Sequence, residues 1–218
     1  MFVERVVVGP YQTNCYILGQ DETSSCWIID PGNDPEAIIS CIKKHQVNPV
    51  AVLLTHTHWD HITALPAIRK AYPEVEILVG REDANFLGKN AYRHFSETIT
   101  DRTFLDAYKE QLQLLPEPTT LLDDGQMLDD CHMRVIHTPG HTPGGVCFFH
   151  EKGAFLFSGD TLFAGGIGRT DLYGGSYTEI IASLKKLMEL PGETRVLPGH
   201  GPSTTIAEEQ ANNPYVGV

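Results

Sequence analysis

The chain has 218 residues, of which 28 are acidic and 16 basic, so its formal net charge at pH 7 is −12. Hydrophobic residues make up 41% of it and charged residues 20%, a composition that excludes an intrinsically disordered chain. An acidic chain with no lysine- or arginine-rich run repels phosphate groups, which argues against nucleic acid and anionic membrane surfaces as partners.

The first ten residues, MFVERVVVGP, show no sign of an export signal. They contain no basic segment followed by a long apolar stretch, and no run elsewhere approaches the roughly 18 apolar residues of a membrane-spanning helix. The five cysteines are scattered and never spaced as CxxC, which favours reduced core thiols over a disulfide framework. We therefore expect a cytoplasmic protein.

Short strands and helices are mixed along the chain, and no repeat or flexible linker divides it. The β-rich apolar runs predicted to form strands are Phe2 to Val8, Cys15 to Leu18, Cys26 to Ile29, Val50 to Leu54, Met133 to Ile136, Val146 to Phe149, Phe155 to Phe157 and Arg195 to Leu197. Because helical patterns occur in both halves as well, the sequence predicts an α/β sandwich, built as a single domain over residues 1–218.

Capping signals mark three helix starts. Asp34 followed by Pro35 predicts a helix that runs to about His45, with Asp34 as its cap. Two capping boxes predict later helices, Ser176 with Glu179 and Thr205 with Glu208.

The segment at about 82–117 is helical and aromatic, and we expect it to be a helical insertion. Phe104, Tyr108, Leu112 and Leu115 recur at i, i+4, i+8 and i+11, so they share one helix face. Two interpretations stay open: this face packs on the core, or it forms a lid or dimer surface beside the active site.

The strongest functional signal follows the strand Val50 to Leu54. The run Thr55-His56-Thr57-His58-Trp59-Asp60-His61 places four metal-capable side chains within six positions at the end of a strand. Alternate residues of an extended segment point the same way, so His56 and His58 can share one ion while Asp60 and His61 turn toward another.

Three further candidate ligands each follow a predicted strand and lie beside glycine. They are His141 in TPGHTPG, Asp160 in SGD and His200 in PGHG. Glycine lets a loop hold a special geometry and lets backbone approach closely. With the HxHxDH run, these residues amount to five histidines and two aspartates at strand ends.

Seven ligands exceed what one tetrahedral zinc uses, but they suit two ions bridged by a carboxylate. Two such ions can activate a shared water and polarise a carbonyl, which is machinery for hydrolysis. No Ser or Cys nucleophile is then required, and the sequence contains no GxSxG motif.

This order of motifs, over nearly the whole chain, resembles the metallo-β-lactamase fold, a four-layer αββα sandwich with its site at one sheet edge. The resemblance implies a ligand set for each ion: His56, His58 and His141 for one, Asp60, His61 and His200 for the other, with Asp160 as the bridge. Asp30, in Ile29-Asp30-Pro31-Gly32, matches an aspartate that in this family orients a ligand histidine or the HxHxDH loop. A plain turn residue is the alternative for Asp30.

Within the fold, the sequence looks most like glyoxalase II (hydroxyacylglutathione hydrolase) and its short bacterial relatives. The matching stretches are THTHWDH at 55–61, GHTPGG at 140–145 and SGDTLFAGGIGR at 158–169. The implied reaction is hydrolysis of thioesters such as S-lactoylglutathione, in which a bridging hydroxide attacks the acyl carbonyl and Asp60 orients that hydroxide or takes its proton. The implied cofactors are two divalent ions: zinc, with iron or a mixed iron–zinc pair as the alternative.

The expected substrate is a small molecule, with a glutathione thioester as the candidate. Full-length glyoxalase II continues into a basic helical domain, whereas only 18 residues follow His200 here and none is Lys or Arg. Arg169 and Tyr173 are candidates for holding substrate, although Arg169 could instead pair with a nearby aspartate and support its loop. We expect a monomer or a small homo-oligomer.

Other activities remain as alternatives on the same scaffold. The GRTD string at 168–171 also resembles persulfide dioxygenases, which hold one iron with two histidines and one aspartate, here His56, His141 and Asp160. Hydrolysis of another ester or a lactone is a third option. Antibiotic hydrolysis is disfavoured because Asp160 stands where secreted zinc β-lactamases of the commonest class carry cysteine.

Overall fold

A computed structural model describes residues 1–20 and 24–216 of the chain. These residues form two compact units, Met1–Leu121 and Leu122–Val218, each with its own sheet and helices.

The first unit is built on a six-stranded sheet in which the strands lie in sequence order. Its strands are β1 (Phe2–Val8), β2 (Thr13–Gly19), β3 (Ser25–Ile29), β4 (Asn48–Leu53), β5 (Glu76–Gly80) and β6 (Thr120–Leu122). The first three strands pair antiparallel, whereas β3, β4 and β5 are parallel. Parallel strands end at the same sheet edge, so the residues that follow β3 and β4 are brought close together.

Helices cover this sheet and complete its core. They are α1 (Pro35–His45), α2 (Trp59–Ile62), α3 (Leu65–Ala71), α4 (Ala91–Thr98) and α5 (Arg102–Gln113), with 3₁₀ turns at Arg81–Phe86 and Gly88–Asn90. The apolar faces of α1, α3 and α5 bury side chains such as Ile38, Ile68 and Leu112 in one core with the strands.

The second unit has a sheet of its own, in the order β14-β13-β10-β9-β8-β7. Its strands are β7 (Met127–Leu128), β8 (Met133–His137), β9 (Val146–His150), β10 (Phe155–Gly159), β13 (Arg195–Pro198) and β14 (Thr204–Thr205), and β11 (Leu162–Phe163) pairs with β12 (Gly166–Ile167). Two helices, α6 (Tyr177–Leu187) and α7 (Ile206–Asn212), bury Leu184, Leu187 and Ile206 against this sheet. Strands β10 and β13 run parallel, which places the residues after both at one edge.

Two capping predictions need correction. Asp34 occupies the position before α1, but its backbone is left-handed (φ 49°) and its side chain caps nothing; its Oδ2 accepts a hydrogen bond from the amide of Gly9 at 2.8 Å instead. Ser176 does cap α6 by accepting from the amide of Glu179, yet the amide of Ser176 donates to the carbonyl of Gly140, so the reciprocal half of that capping box is absent.

The segment at 82–117 is helical as predicted, and several of its leucines are part of the first unit's core. Leu105, Leu112 and Leu115 are buried, although Leu115 lies beyond the end of α5. Phe104 and Tyr108 are half-buried, and both rings lie against Trp59 at centroid distances of 5.2 and 4.9 Å. The structure thus shows core packing for these three leucines and an aromatic contact between α5 and the HxHxDH segment.

All five cysteines are free thiols, as the sequence predicted, and all but Cys41 are buried. Burial raises the pKa of Cys26 and of Cys131 to about 12, so these thiols are unreactive at neutral pH. No helix within the described residues is both long enough and apolar enough to cross a bilayer.

Candidate metal centre

The HxHxDH segment begins where β4 ends. Leu54 still donates to the sheet, through its amide to the carbonyl of Leu78, and the chain then turns into the short helix α2 at Trp59. This turn leaves His56 and His61 buried, at 2% and 0% exposure, while His58 and Asp60 are half-buried. The rings of His56 and His61 lie 4.1 Å apart between centroids.

Asp30 lies directly after β3, at the same sheet edge, and is 1% exposed. Its carboxylate accepts three hydrogen bonds, from the amide of Thr55 (2.8 Å), the hydroxyl of Thr55 (2.6 Å) and Nδ1 of His61 (3.0 Å). Its backbone is left-handed (φ 50°), a conformation that aspartate tolerates better than most residues. Of the two interpretations of Asp30, the geometry matches a residue that orients a histidine.

These contacts decide which nitrogen of each imidazole carries the proton. A carboxylate only accepts, so Nδ1 of His61 is the N–H that donates to Asp30. The Thr55 hydroxyl donates its one hydrogen bond to Asp30. Its oxygen therefore accepts a hydrogen bond from Nδ1 of His56 at 3.1 Å. In the neutral imidazole of both histidines, Nε2 then carries the lone pair, which is the state that binds a metal.

Asp60 is a further candidate ligand of the first unit. Its Oδ2 lies 3.5 Å from Nε2 of His61 and accepts a hydrogen bond from the hydroxyl of Thr13 at 3.1 Å. The main chain at Asp60 passes so close to Gly32 that a Cβ at position 32 would overlap the Asp60 carbonyl.

The second unit gathers the other three candidate ligands by itself. Asp160 follows β10, His200 follows β13, and the two loops are joined by a hydrogen bond from the amide of Gly199 to the carbonyl of Gly159. Oδ2 of Asp160 lies 3.5 Å from Nε2 of His141 and 3.5 Å from Nε2 of His200. One carboxylate oxygen thus faces two imidazoles, as a bridging ligand would.

His141 is oriented by main chain. Its Nδ1 donates to the carbonyl oxygen of Arg169 at 2.7 Å, which again leaves the lone pair on Nε2. Gly168 makes this possible, because a Cβ there would overlap the carbonyl of Asp160 and lie 3.0 Å from Nδ1 of His141.

The Arg169 side chain is engaged elsewhere. Its Nε and Nη2 donate to the two carboxylate oxygens of Asp171, both at 2.7 Å, in a solvent-exposed ion pair. These hydrogen bonds lower the pKa of Asp171 to about 2. Pairing with a nearby aspartate, one of the two roles considered for Arg169, is what the structure shows. Tyr173 is 58% exposed.

The donor set fits a divalent metal. In neutral His61 and His141 the lone pair on Nε2 faces a carboxylate oxygen at 3.5 Å, and a cation between the two atoms would turn this repulsion into attraction. Two ligands of a tetrahedral zinc, each about 2.0–2.1 Å from the ion, lie about 3.3 Å apart, close to these separations. Histidine and carboxylate together suit zinc or iron.

Comparison with known proteins agrees with this chemistry. The sequence pattern of the Metallo-beta-lactamase superfamily matches residues 8–200, which is most of the chain. The chain belongs to that superfamily. The predicted fold class, the metallo-β-lactamase fold, is thereby confirmed, and the membership supports a metal-dependent hydrolase.

Three similar proteins align with nearly the whole chain. Hydroxyacylglutathione hydrolase GloC of Haemophilus influenzae is 34% identical over 99% of this chain and 98% of its own. The crystal structure of BLEG-1, a B3 metallo-β-lactamase, is 37% identical with a TM-score of 0.85 and covers 100% of both chains. TTHA1623 in a di-iron-bound form is 35% identical with a TM-score of 0.81, over 98% of this chain and 100% of its own.

The sequence did not reveal the groups that orient the candidate metal ligands. Thr55 could have been noticed, since it immediately precedes the HxHxDH run. Thr13 carries no local signal, because it reaches Asp60 across 47 positions. The Arg169 carbonyl could not be found either, since every residue supplies that group.

Proposed function

We propose that the two ligand clusters together hold two divalent ions and that the protein hydrolyses thioesters, with S-lactoylglutathione as the candidate substrate. The observation that carries this proposal is that a carboxylate oxygen lies 3.5 Å from an imidazole Nε2 in both clusters, for His61 in one and for His141 and His200 in the other. Similarity to hydroxyacylglutathione hydrolase GloC supports the substrate class. The ligand assignment follows the family resemblance: His56, His58 and His141 for one ion, Asp60, His61 and His200 for the other, and Asp160 between them.

When bound, two such ions lower the pKa of a shared water toward about 7 and polarise the acyl carbonyl. Asp60 is the side chain that can act on this water. Its Oδ2 is fixed by the Thr13 hydroxyl and stays acceptor-only, so it can orient a water and take up its proton. Asp160 keeps His141 and His200 on either side of one oxygen, which fixes the spacing of their nitrogens.

Leaving-group chemistry favours a thioester over an amide. A thiol has a pKa near 8.5, so a thiolate departs without being protonated first. The nitrogen of an amide must be protonated as it leaves, which requires a general acid. A thiolate therefore leaves without a proton, whereas an amide nitrogen would depend on the one proton that Asp60 takes from the water.

We expect weak recognition of the glutathione carrier. The Arg169 guanidinium, the candidate for holding a substrate carboxylate, is bound on two sides by Asp171. Freeing it would cost both hydrogen bonds. Hydrolysis should therefore depend on the acyl thioester more than on the tripeptide, and KM should be similar for S-lactoylglutathione and for a lactoyl thioester of a simple thiol.

The test is thiol release from both thioesters by protein loaded with zinc or with iron, compared with His58→Ala. A matched control is His132→Asn, since His132 is an exposed histidine outside the clusters whose left-handed backbone (φ 55°) suits asparagine. Turnover by the wild type and by His132→Asn, but not by His58→Ala, supports the proposal. Wild-type turnover no faster than that of His58→Ala refutes the proposal.

A second candidate is β-lactam hydrolysis, which the similarity to the B3 metallo-β-lactamase BLEG-1 favours. A chromogenic cephalosporin assayed beside the thioesters separates the two, since the larger kcat/KM identifies the activity.

The dioxygenase alternative predicts one iron per chain and oxygen uptake with glutathione persulfide. Elemental analysis and an oxygen electrode test it on the same preparation, and that pair of results would exclude hydrolysis by a two-ion centre.

A further inference from the structure

A second group of metal-capable side chains lies away from the HxHxDH segment, where the end of α1 meets β1. It consists of Glu4, Cys41 and His45. Cys41 and His45 are four positions apart on α1, so they are neighbours on one helix face. Glu4 comes from β1, the edge strand of the first unit's sheet.

Side chains alternate between the two faces of β1, and Glu4 lies on the face toward α1. Residues at even positions of this strand share a face, and Phe2, two positions before Glu4, stacks on the ring of His45 at 4.3 Å. One ligand atom of each of Glu4, Cys41 and His45 lies within 4.8 Å of the others. The Phe2 stack holds the imidazole in the orientation that faces Glu4.

Nε2 of His45 is enclosed and lacks a hydrogen bond. The atom is buried, and no group within the described residues serves as its hydrogen-bond partner. Its neighbour is Oε2 of Glu4 at 3.6 Å, too long for a hydrogen bond but close to the separation of two ligands on one metal ion. The other oxygen, Oε1, faces Lys44 at 3.8 Å, so Oε2 is available to a cation.

We propose that Glu4, Cys41 and His45 form a binding site for a zinc-type divalent cation, separate from the catalytic centre. One thiolate, one imidazole and one carboxylate are ligands that zinc accepts, with water in the fourth position. The ion would join the last turn of α1 to the edge strand β1. That position gives the ion a structural role.

The charges in this group are consistent with a cation. Burial and the Glu4 carboxylate raise the pKa of the Cys41 thiol, while Lys44 lowers it. A divalent ion would offset both unfavourable effects and release the thiol proton on binding. Cys41 is also the half-buried cysteine among four buried ones, so it is the thiol that a metal can reach.

The competing explanation is an ion pair between protonated His45 and Glu4, near the carboxyl end of α1 where a cation is favoured. That explanation gives Cys41 no role and makes metal irrelevant. A probe that reports a metal–thiolate bond therefore separates the two. The proposed catalytic ligands include no cysteine, so a thiolate signal reports this second site alone.

The experiment titrates metal-stripped, reduced protein with Co(II) under anaerobic conditions and follows thiolate-to-Co(II) charge transfer in the near ultraviolet. We expect the band in the wild type, its loss in Cys41→Ser, and at least tenfold weaker binding in His45→Gln and Glu4→Gln. Lys44→Gln should tighten binding, while Lys43→Gln, on the neighbouring exposed position, should not. No band in the wild type, or a band that survives Cys41→Ser, overturns the proposal.

Alkylation of Cys41 tests the site on the unaltered chain, should Cys41→Ser fail to fold. Zn(II) should slow the reaction of Cys41 with iodoacetamide at least tenfold, as measured by peptide mass spectrometry, and the protection should disappear in His45→Gln. An alkylation rate that Zn(II) leaves unchanged in the wild type would also overturn the proposal. Neither measurement depends on the proposed hydrolase activity.

Discussion

Asp30 and His61 are joined by a hydrogen bond of 3.0 Å, from Nδ1 of the imidazole to Oδ2 of the carboxylate, and both side chains are buried. The same carboxylate holds the amide and the hydroxyl of Thr55, and that hydroxyl in turn meets Nδ1 of His56. A single aspartate thus sets the orientation and tautomer of two candidate ligands through one network.

Asp30→Asn should weaken metal binding by about 10–100-fold, the effect typical of losing an outer-sphere carboxylate. An amide has one acceptor oxygen in place of two, so it cannot satisfy all three donors. Competition with a chromogenic chelator measures the affinity. Asp34→Asn is the matched control, since Asp34 is also left-handed (φ 49°) but its carboxylate accepts from the amide of Gly9. Equal losses in both variants would show that backbone strain, and not the network, is responsible.

The candidate ligands could be found in the sequence because they carry local signals. His56 and His58 follow a β-rich strand in a dense run, and His141, Asp160 and His200 each follow a strand and lie beside glycine. The structure then places Asp160 between His141 and His200. Sequence patterns of strands and turns carry this information because parallel strands end at one edge.

The supporting contacts could not be predicted because they are long-range or use main chain. Thr13 meets Asp60 through the pairing of β1, β2 and β3, which no local pattern specifies. The capping signal at Asp34 was misread, since tertiary contact with Gly9 draws its side chain away from the helix. The single-domain organisation, the cytoplasmic location and the oligomeric state stay predictions.

Gly168→Ala should reduce both metal content and stability. The added Cβ would overlap the carbonyl of Asp160, and overpacking of this kind typically costs about 1–3 kcal/mol. Gly166→Ala is the control in the same loop, because its Cβ would meet nothing nearer than the Cβ of Phe163 at 4.0 Å. Metal analysis after dialysis and urea unfolding measure the two effects. Wild-type metal content in Gly168→Ala would mean that the loop adjusts without moving Asp160.

Asp160→Asn should cost more activity and more metal than Arg169→Ala. The first change leaves one oxygen and an amide donor facing two imidazoles, so we expect metal stoichiometry to fall and kcat to drop at least 100-fold. The second keeps the carbonyl that orients His141, because that group is main chain. Equal losses in kcat with unchanged metal content would contradict the bridging role of Asp160.

The Arg169–Asp171 pair should affect stability in a defined pH range. The folded pKa of Asp171 is about 2, below its ordinary value near 3.9, so its contribution is present above about pH 4 and is lost as the pH falls toward 2. The pair is fully exposed, so the effect should be small and screened by salt. Urea unfolding of Asp171→Asn and wild type at pH 3 and pH 6 measures it. A difference that grows on acidification would contradict this assignment.

Leu112→Ala and Tyr108→Leu separate the two roles of α5. Leu112 is 1% exposed in the first unit's core, so its truncation should cost about 2–5 kcal/mol of unfolding free energy with metal stoichiometry unchanged. Tyr108 is half-buried against Trp59, which follows the ligand candidate His58, so its loss should raise KM for thioesters while costing less stability. Urea unfolding and steady-state kinetics give both quantities for each variant. If Leu112→Ala changed KM and left stability intact, α5 would act as a lid and the core-packing interpretation would be wrong.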